Sequence, residues 1–94
     1  MEQHYIIRGD RSGVFFGEIA ERNGREVTIR NARRLWYWDG AASLSQLAVD
    51  GTRKPGSCKF AMTVSSIVIL DAIEILPCTV QAEESIKSVA VWKI

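Results

Sequence analysis

Histidine occurs once in the 94 residues, at position 4, and cysteine and proline occur twice each. A single histidine leaves the chain short of the side chain that most often carries acid–base chemistry at neutral pH, although carboxylates can substitute. A structural zinc site needs four Cys/His ligands, commonly in close pairs. Cys58, Cys78 and His4 are three scattered candidates and do not supply one. Cys–His catalysis would rest on His4, beside a terminus where a base is poorly held. The cysteines therefore read as small buried apolar residues of a reducing compartment, one disulfide being the alternative. No apolar run approaches the roughly 20 residues of a membrane-spanning helix. Met1 to Tyr5 does not read as the basic start of a signal peptide. The expectations are no membrane, no metal and no cofactor.

An excess of one charge is also lacking. Twelve Lys+Arg against eleven Asp+Glu give a net charge of +1, which excludes binding through a polybasic tail. The chain is 47% apolar and 24% charged, the proportions of an ordinary folded domain. One domain over residues 1–94 is the reading. The neutrality is a cancellation: residues 1–60 carry a net +3 and residues 61–94 a net −2. All seven glycines lie at or before Gly56, so tight turns and sharp strand bends belong to the front.

Strand candidates run over His4–Arg8 and Gly13–Glu21. Asn23-Gly24 then signals a type I′ hairpin turn. The return strand starts at Glu26–Arg30, is interrupted by Asn31-Ala32 as by a bulge, and continues through Arg33–Trp38. Ser43 and Gln46 form a capping box before a two-turn helix over 44–50, with Gly51 as its C′ residue. Cys58 to Val64 alternates, with Cys58, Phe60, Met62 and Val64 facing one way, and Ser65-Ser66 breaks it. Ile67–Leu70 and Ala72–Leu76 read as strands joined by a turn at Asp71-Ala72. A second helix follows near 80–89, with Ala82, Ile86, Val89 and Ala90 on its apolar face. The sum is an α+β, mostly β fold: a small curled or barrel-like antiparallel sheet, SH3-like or Sm-like, of about five strands with two short helices.

Arg33-Arg34-Leu35-Trp36-Tyr37-Trp38 is the densest chemistry in the chain. Strand alternation puts Arg34, Trp36 and Trp38 on one face and Arg33, Leu35 and Tyr37 on the other. A guanidinium beside indole rings suits a nucleotide: the ring stacks a base and the fork pairs with phosphate. Arg53, Lys54 and Lys59 add to it, and residues 30–60 carry a net +4. Gly56 and Ser57 offer backbone N–H groups to an anion. The bland reading stands beside this one. Tryptophans in a short chain are usually core, and arginines on a strand are often solvated edge residues. Trp, Tyr and Arg are also the residues of oligomer and protein interfaces. Asp71 and Glu74 read as a solvated turn and Ser43 as a cap, so no catalytic constellation emerges.

Asn31-Ala32-Arg33-Arg34-Leu35-Trp36-Tyr37-Trp38-Asp39-Gly40 continues into Ser43-Leu44-Ser45-Gln46-Leu47-Ala48 and Asp50-Gly51-Thr52. This block resembles the signature of a family of small phage and prophage proteins. The likeness extends to Ser12-Gly13-Val14-Phe15, Asn23-Gly24, Cys58-Lys59-Phe60, Ile75–Thr79 and Trp92-Lys93. The family has no assigned activity, so the resemblance implies a phage origin and the host cytoplasm, and carries over no site residues. It also implies counter-defence as a role, of which one form is an oligomeric sponge for cyclic ADP-ribose derivatives or cyclic oligonucleotides.

The expectation is a non-enzymatic, homo-oligomeric protein binding an anionic nucleotide-like small molecule. Its candidate ligand-binding residues are Arg33, Arg34, Arg53, Lys54 and Lys59 for phosphates and Trp36, Tyr37 and Trp38 for stacking or packing. Two alternatives stand beside it: a protein-interaction module that uses the same patch to dock on a host protein or serves as a virion accessory, and a small-barrel nucleic-acid binder suggested by the Sm-like sequence rhythm.

Overall fold

A computed structural model describes residues 3–94; Met1 and Glu2, which open the leader reading, lie outside the described residues. Six antiparallel strands and two helices are formed: β1 (Tyr5–Gly9), β2 (Val14–Asn23), β3 (Glu26–Tyr37), α1 (Leu44–Asp50), β4 (Lys59–Phe60), β5 (Val64–Ile69), β6 (Ala72–Pro77) and α2 (Val80–Ser88). The strand order is β4-β3-β2-β1-β6, and β5 pairs with the first half of β3. The sheet curls without closing, and β5 and β6 are paired to β3 and β1 rather than to each other.

The curl comes from bulges in the β2–β3 hairpin. Between the pairs Phe16↔Arg33 and Glu18↔Arg30, β3 spends one residue more than β2. That bulge holds Asn31 at φ 50, a conformation Asn tolerates better than most residues. Gly17 lies opposite, where a Cβ would sit 2.9 Å from Arg30 O. A second register shift follows between Ile19 and Glu21. The bent hairpin brings its tip back to the start of β6, where Ala72 N–H donates to Arg25 O at 3.0 Å.

Two cores result. Ile7, Phe15, Val27, Ile29 and Ile69 pack inside the curl. Ile6, Phe16, Leu35, Phe60, Leu47 and Ile86 pack between the sheet and the helices. Each such side chain, fully buried, contributes about 1.5–3 kcal/mol. Cys58 and Cys78 are both buried in the second core as free thiols. Burial, with Glu83 nearby, pushes the Cys78 thiol up to about 12.

The Ser43 half of the capping box forms, with Gln46 N–H donating to Ser43 Oγ at 3.1 Å; Gln46 Oε1 instead accepts from the N–H of Ala42, one residue before the N-cap, at 2.7 Å. Other expectations are corrected. The hairpin turn is Gly24-Arg25, between paired Asn23 and Glu26. A positive φ at Gly24 alone is the pattern of a type II′ turn, not I′. The strand expected over 58–64 stops at Phe60, because Arg33 takes the carbonyls of Phe60 and Ala61 that a continuing ladder would use. Ser65 and Ser66 lie within β5, Met62 and Val64 are exposed, and so is Ala90.

Candidate functional site

The Arg-aromatic block occupies the second half of β3, and a third bulge governs its display. Leu35 pairs with Phe60 and Tyr37 with Lys59, so Trp36 is the extra residue. Strict alternation would turn Tyr37 inward with Leu35. Instead Trp36 is 64% and Tyr37 49% exposed, while Leu35 is buried. Trp38 is half-buried against the helix-side core.

The two arginines part company. Arg33 is only 4% exposed. Its Nε donates to Ala61 O at 2.7 Å, its Nη1 to Ile86 O at 2.8 Å, and its Nη2 to Val89 O at 2.6 Å and Phe60 O at 3.3 Å. Ile86 and Val89 close α2, so Arg33 ties the C-terminal end of that helix to β4. Burial lowers its pKa from the usual arginine value, and the carbonyl cradle holds it charged. Its fork is spent inside the fold, which removes it from the phosphate-binding set.

Arg34 points out. Its guanidinium lies 4.5 Å from the Phe15 ring centroid, and Nη1 donates to Ser12 O at 2.7 Å. A cleft of about 220 Å³ is lined by Arg34, Trp36 and Trp38, the trio expected on one face, together with Arg11 and Ser12. Arg34, Arg11 and Ser12 also line a wider cleft, about 450 Å³, that reaches to Val68 and Leu70.

The basic loop is brought to the same end of the molecule. Arg53 N–H donates to Gly40 O at 3.2 Å and Thr52 Oγ1 to Asp39 O at 2.5 Å, just past Trp38. Gly40, at φ 81, permits this approach: a Cβ there would sit 2.5 Å from Lys54 N. Lys59, opposite Tyr37, holds its Nζ 5.5 Å from the Trp92 ring centroid. Ser57 does not serve as an anion donor, because its N–H is spent on Lys54 O in the Pro55–Ser57 3₁₀ turn. Among the described residues, Arg11, Arg34, Arg53, Lys54 and Lys59 form no ion pair.

Trp92 and His4 carry more than the sequence reading gave them. Trp92 packs on Trp36 while remaining about half exposed. His4 is buried and stacked on Phe16, 4.9 Å between centroids. Its Nε2 lies 3.6 Å from Glu18 and its Nδ1 3.5 Å from Glu83, whose other oxygen accepts from the His4 N–H at 3.0 Å. Asn31, on the bulge, donates to the same Glu18 carboxylate. His4, Phe16, Glu18 and Asn31 line a cleft of about 320 Å³ with Arg33, Thr63 and Lys87. The Tyr5↔Gly17 register places His4 opposite Glu18, so that half was readable from the hairpin. Glu83 arrives only with α2. No group of three His, Cys, Asp or Glu among the described residues is placed to hold a metal ion. A further cleft, about 660 Å³ between the hairpin tip and β6, is lined by Arg22, Arg25 and Glu74; Arg25 pairs with Asp10 and Glu74 with Arg8.

No helix among the described residues is long and apolar enough to cross a membrane. Comparison with curated proteins and with solved structures gives no match. A family model described as a domain of unknown function, DUF6948, matches residues 2–86, nearly the whole of the strand and helix framework described above, and the chain belongs to that family.

Proposed function

We propose that the surface at the end of β3 binds an anionic, nucleotide-type small molecule without turning it over. The observation that supports this reading is that Arg11 and Arg34 line one cleft with Trp36 and Trp38, Lys59 lies by Trp92, and none of these three cations forms an ion pair among the described residues. Arg34 supplies a fork for phosphate beside two indoles, and the exposed face of Trp36 supplies a stacking platform worth about 1–3 kcal/mol per base. The cleft of about 220 Å³ is smaller than the roughly 300–1,000 Å³ of typical ligand pockets. A ligand there lies partly over Trp36 or is walled by a second copy of the chain. In the sponge form of this reading the protein is phage-encoded and takes a cyclic nucleotide immune signal away from effectors in the host cytoplasm. The test is calorimetry against cyclic oligonucleotides and cyclic ADP-ribose isomers, with short DNA and RNA as separate arms. Binding that Arg34→Ala abolishes supports the reading. Silence at high micromolar concentration from every small ligand removes it, and salt-sensitive binding of DNA or RNA alone turns the surface into a nucleic-acid site.

A protein partner is the second reading. Trp36 and Trp92 present a flat aromatic pair to solvent, the residue type that dominates interface hot spots. A stoichiometric host partner, lost on Trp36→Ala, would favour it.

A further inference from the structure

We propose that the free edge of β5 is a two-fold interface at which a second copy of this chain adds its own β5 in antiparallel register through Ser66. Of the three terminal strands, β4 is met by the tail at Val91 and Trp92; β6 and β5 leave the two open edges, and they are built differently. β6 carries Glu74 at its middle and Pro77 at its end, which are devices that discourage strand addition. β5 carries none. From Phe60 to Leu70 there is no charge, no proline and no glycine. Its pairing with β3 runs from Val27↔Ile69 to Ala32↔Val64 without a register shift, so the edge is regular.

The occupant follows from symmetry. Met62, Val64, Val68 and Leu70 are all exposed, Val68 at 52% and Leu70 at 70%. They stand in mirror positions about Ser66. An antiparallel pair of two β5 strands centred on Ser66 sets Val64 opposite Val68 of the copy, with Met62 and Leu70 flanking the two strand ends. Residues directly opposite in an antiparallel pair share a face, so Val64 and Val68 of each copy meet on one side. A two-fold contact needs a patch that complements itself, and this one does. It also carries no charge, so a copy meets no like charge along the strand. Pairing occupies the edge in both copies, so assembly closes at two. An unrelated peptide has no reason to match a mirror-symmetric row.

The interface stands on the β5 edge and is read without any ligand, so it fails or holds separately from the nucleotide reading. The experiment is light scattering with size exclusion across the micromolar range. The expected mass is twice the 10.5 kDa of the chain. Val68→Lys puts a charge on an exposed edge position and is expected to halve the mass while leaving the melting temperature within a few degrees. Ser66→Cys faces its own copy across the axis, where opposed Cβ atoms lie about 4.5–5.5 Å apart, close to disulfide reach. Mild oxidation is expected to give a covalent dimer on a non-reducing gel. Ser65→Cys, which faces Ile67 of the copy, is expected to give none, nor is the unsubstituted chain with its buried Cys58 and Cys78. A monomer at all concentrations with no Ser66→Cys cross-link overturns the proposal. So does a dimer that keeps its mass with Val68→Lys and fails to cross-link. Where Val68→Lys does not fold, the contrast between Ser66→Cys and Ser65→Cys decides.

Discussion

Trp36 stacks on Trp92, ring centroids 6.2 Å apart and planes 10° from parallel. The bulge turns Trp36 outward, and the Trp92 N–H, donating to Phe60 O at 2.9 Å, sets the tail beside it. Such pairs add about 0.5–1.5 kcal/mol beyond burial. Trp92→Ala is therefore expected to lower the melting temperature by roughly 2–8 °C and to remove coupled indole signal from the near-UV circular dichroism. An unchanged near-UV spectrum would mean that the rings do not stack in solution.

Arg33 and Arg34 are adjacent in sequence and opposite in role. Truncating Arg33 to Met removes four hydrogen bonds; Phe60 O and Ile86 O keep the N–H groups of Trp92 and Val89, while Ala61 O and Val89 O lose the donor that Arg33 supplied, at a cost of about 3 kcal/mol or more. Lysine has no planar fork and does not restore them. Arg34→Ala loses a cation–π contact and one exposed hydrogen bond, about 1 kcal/mol. Urea melts of the two variants separate these roles. Equal losses would show that Arg33 is not the buried clip.

Asp71 makes stability depend on acid. The Ser12 hydroxyl donates to its Oδ1 at 2.5 Å, and the N–H groups of Arg11 and Ser12 to Oδ2 at 2.8 and 3.1 Å. These donors, Ser12 Oγ first, hold the carboxyl below its ordinary value. The native state thus favours the charged form. The stabilisation is full above the unfolded pKa of about 3.9 and is lost as pH falls through the lower folded value. Asp71→Asn is expected to be less stable than the parent at pH 7, with a narrower gap at an acid pH below the ordinary carboxylate range. Denaturant melts at both pH values check this, and a gap independent of pH would remove the charge from the account.

Gly40→Ala tests whether the basic loop belongs to the site. The new Cβ meets the Lys54 backbone, and the backbone at φ 81 strains any residue with a side chain. Overpacking of this kind costs about 1–3 kcal/mol. Amide shifts at Arg53 and Lys54 are expected to move most, and affinity for an anionic ligand to fall with them. Full affinity with a displaced loop would place Arg53 and Lys54 outside the site.

Local signals were the readable part of the fold. Ser43, Gln46 and Gly51 act within one helix, and Asn31-Ala32 interrupts one strand, so each was visible without knowing the partners. The face shared by Arg34, Trp36 and Trp38 was also local. The fate of Arg33 was not. The four carbonyls that claim it come from β4 and α2, 27 to 56 residues downstream. The early end of β4 has the same cause, since alternation over Cys58–Val64 carries no record of a guanidinium arriving from β3. Strand alternation alone puts Tyr37 on the face of Leu35, because a bulge at Trp36 depends on how β4 pairs, and β4 is two residues long.

β1 comes first in chain order among the described strands, yet it lies inside the sheet, flanked by β2 and β6. One side pairs within a dozen residues of chain; the other waits for Ala72–Pro77. Until that last strand is translated, Ile6 and Ile7 border a bare edge, and no N-terminal fragment completes either core. The barrier is set by contacts distant in sequence, a topology that folds in about milliseconds to seconds. Folding of the domain is thus an event of the whole chain, completed after synthesis of its final third.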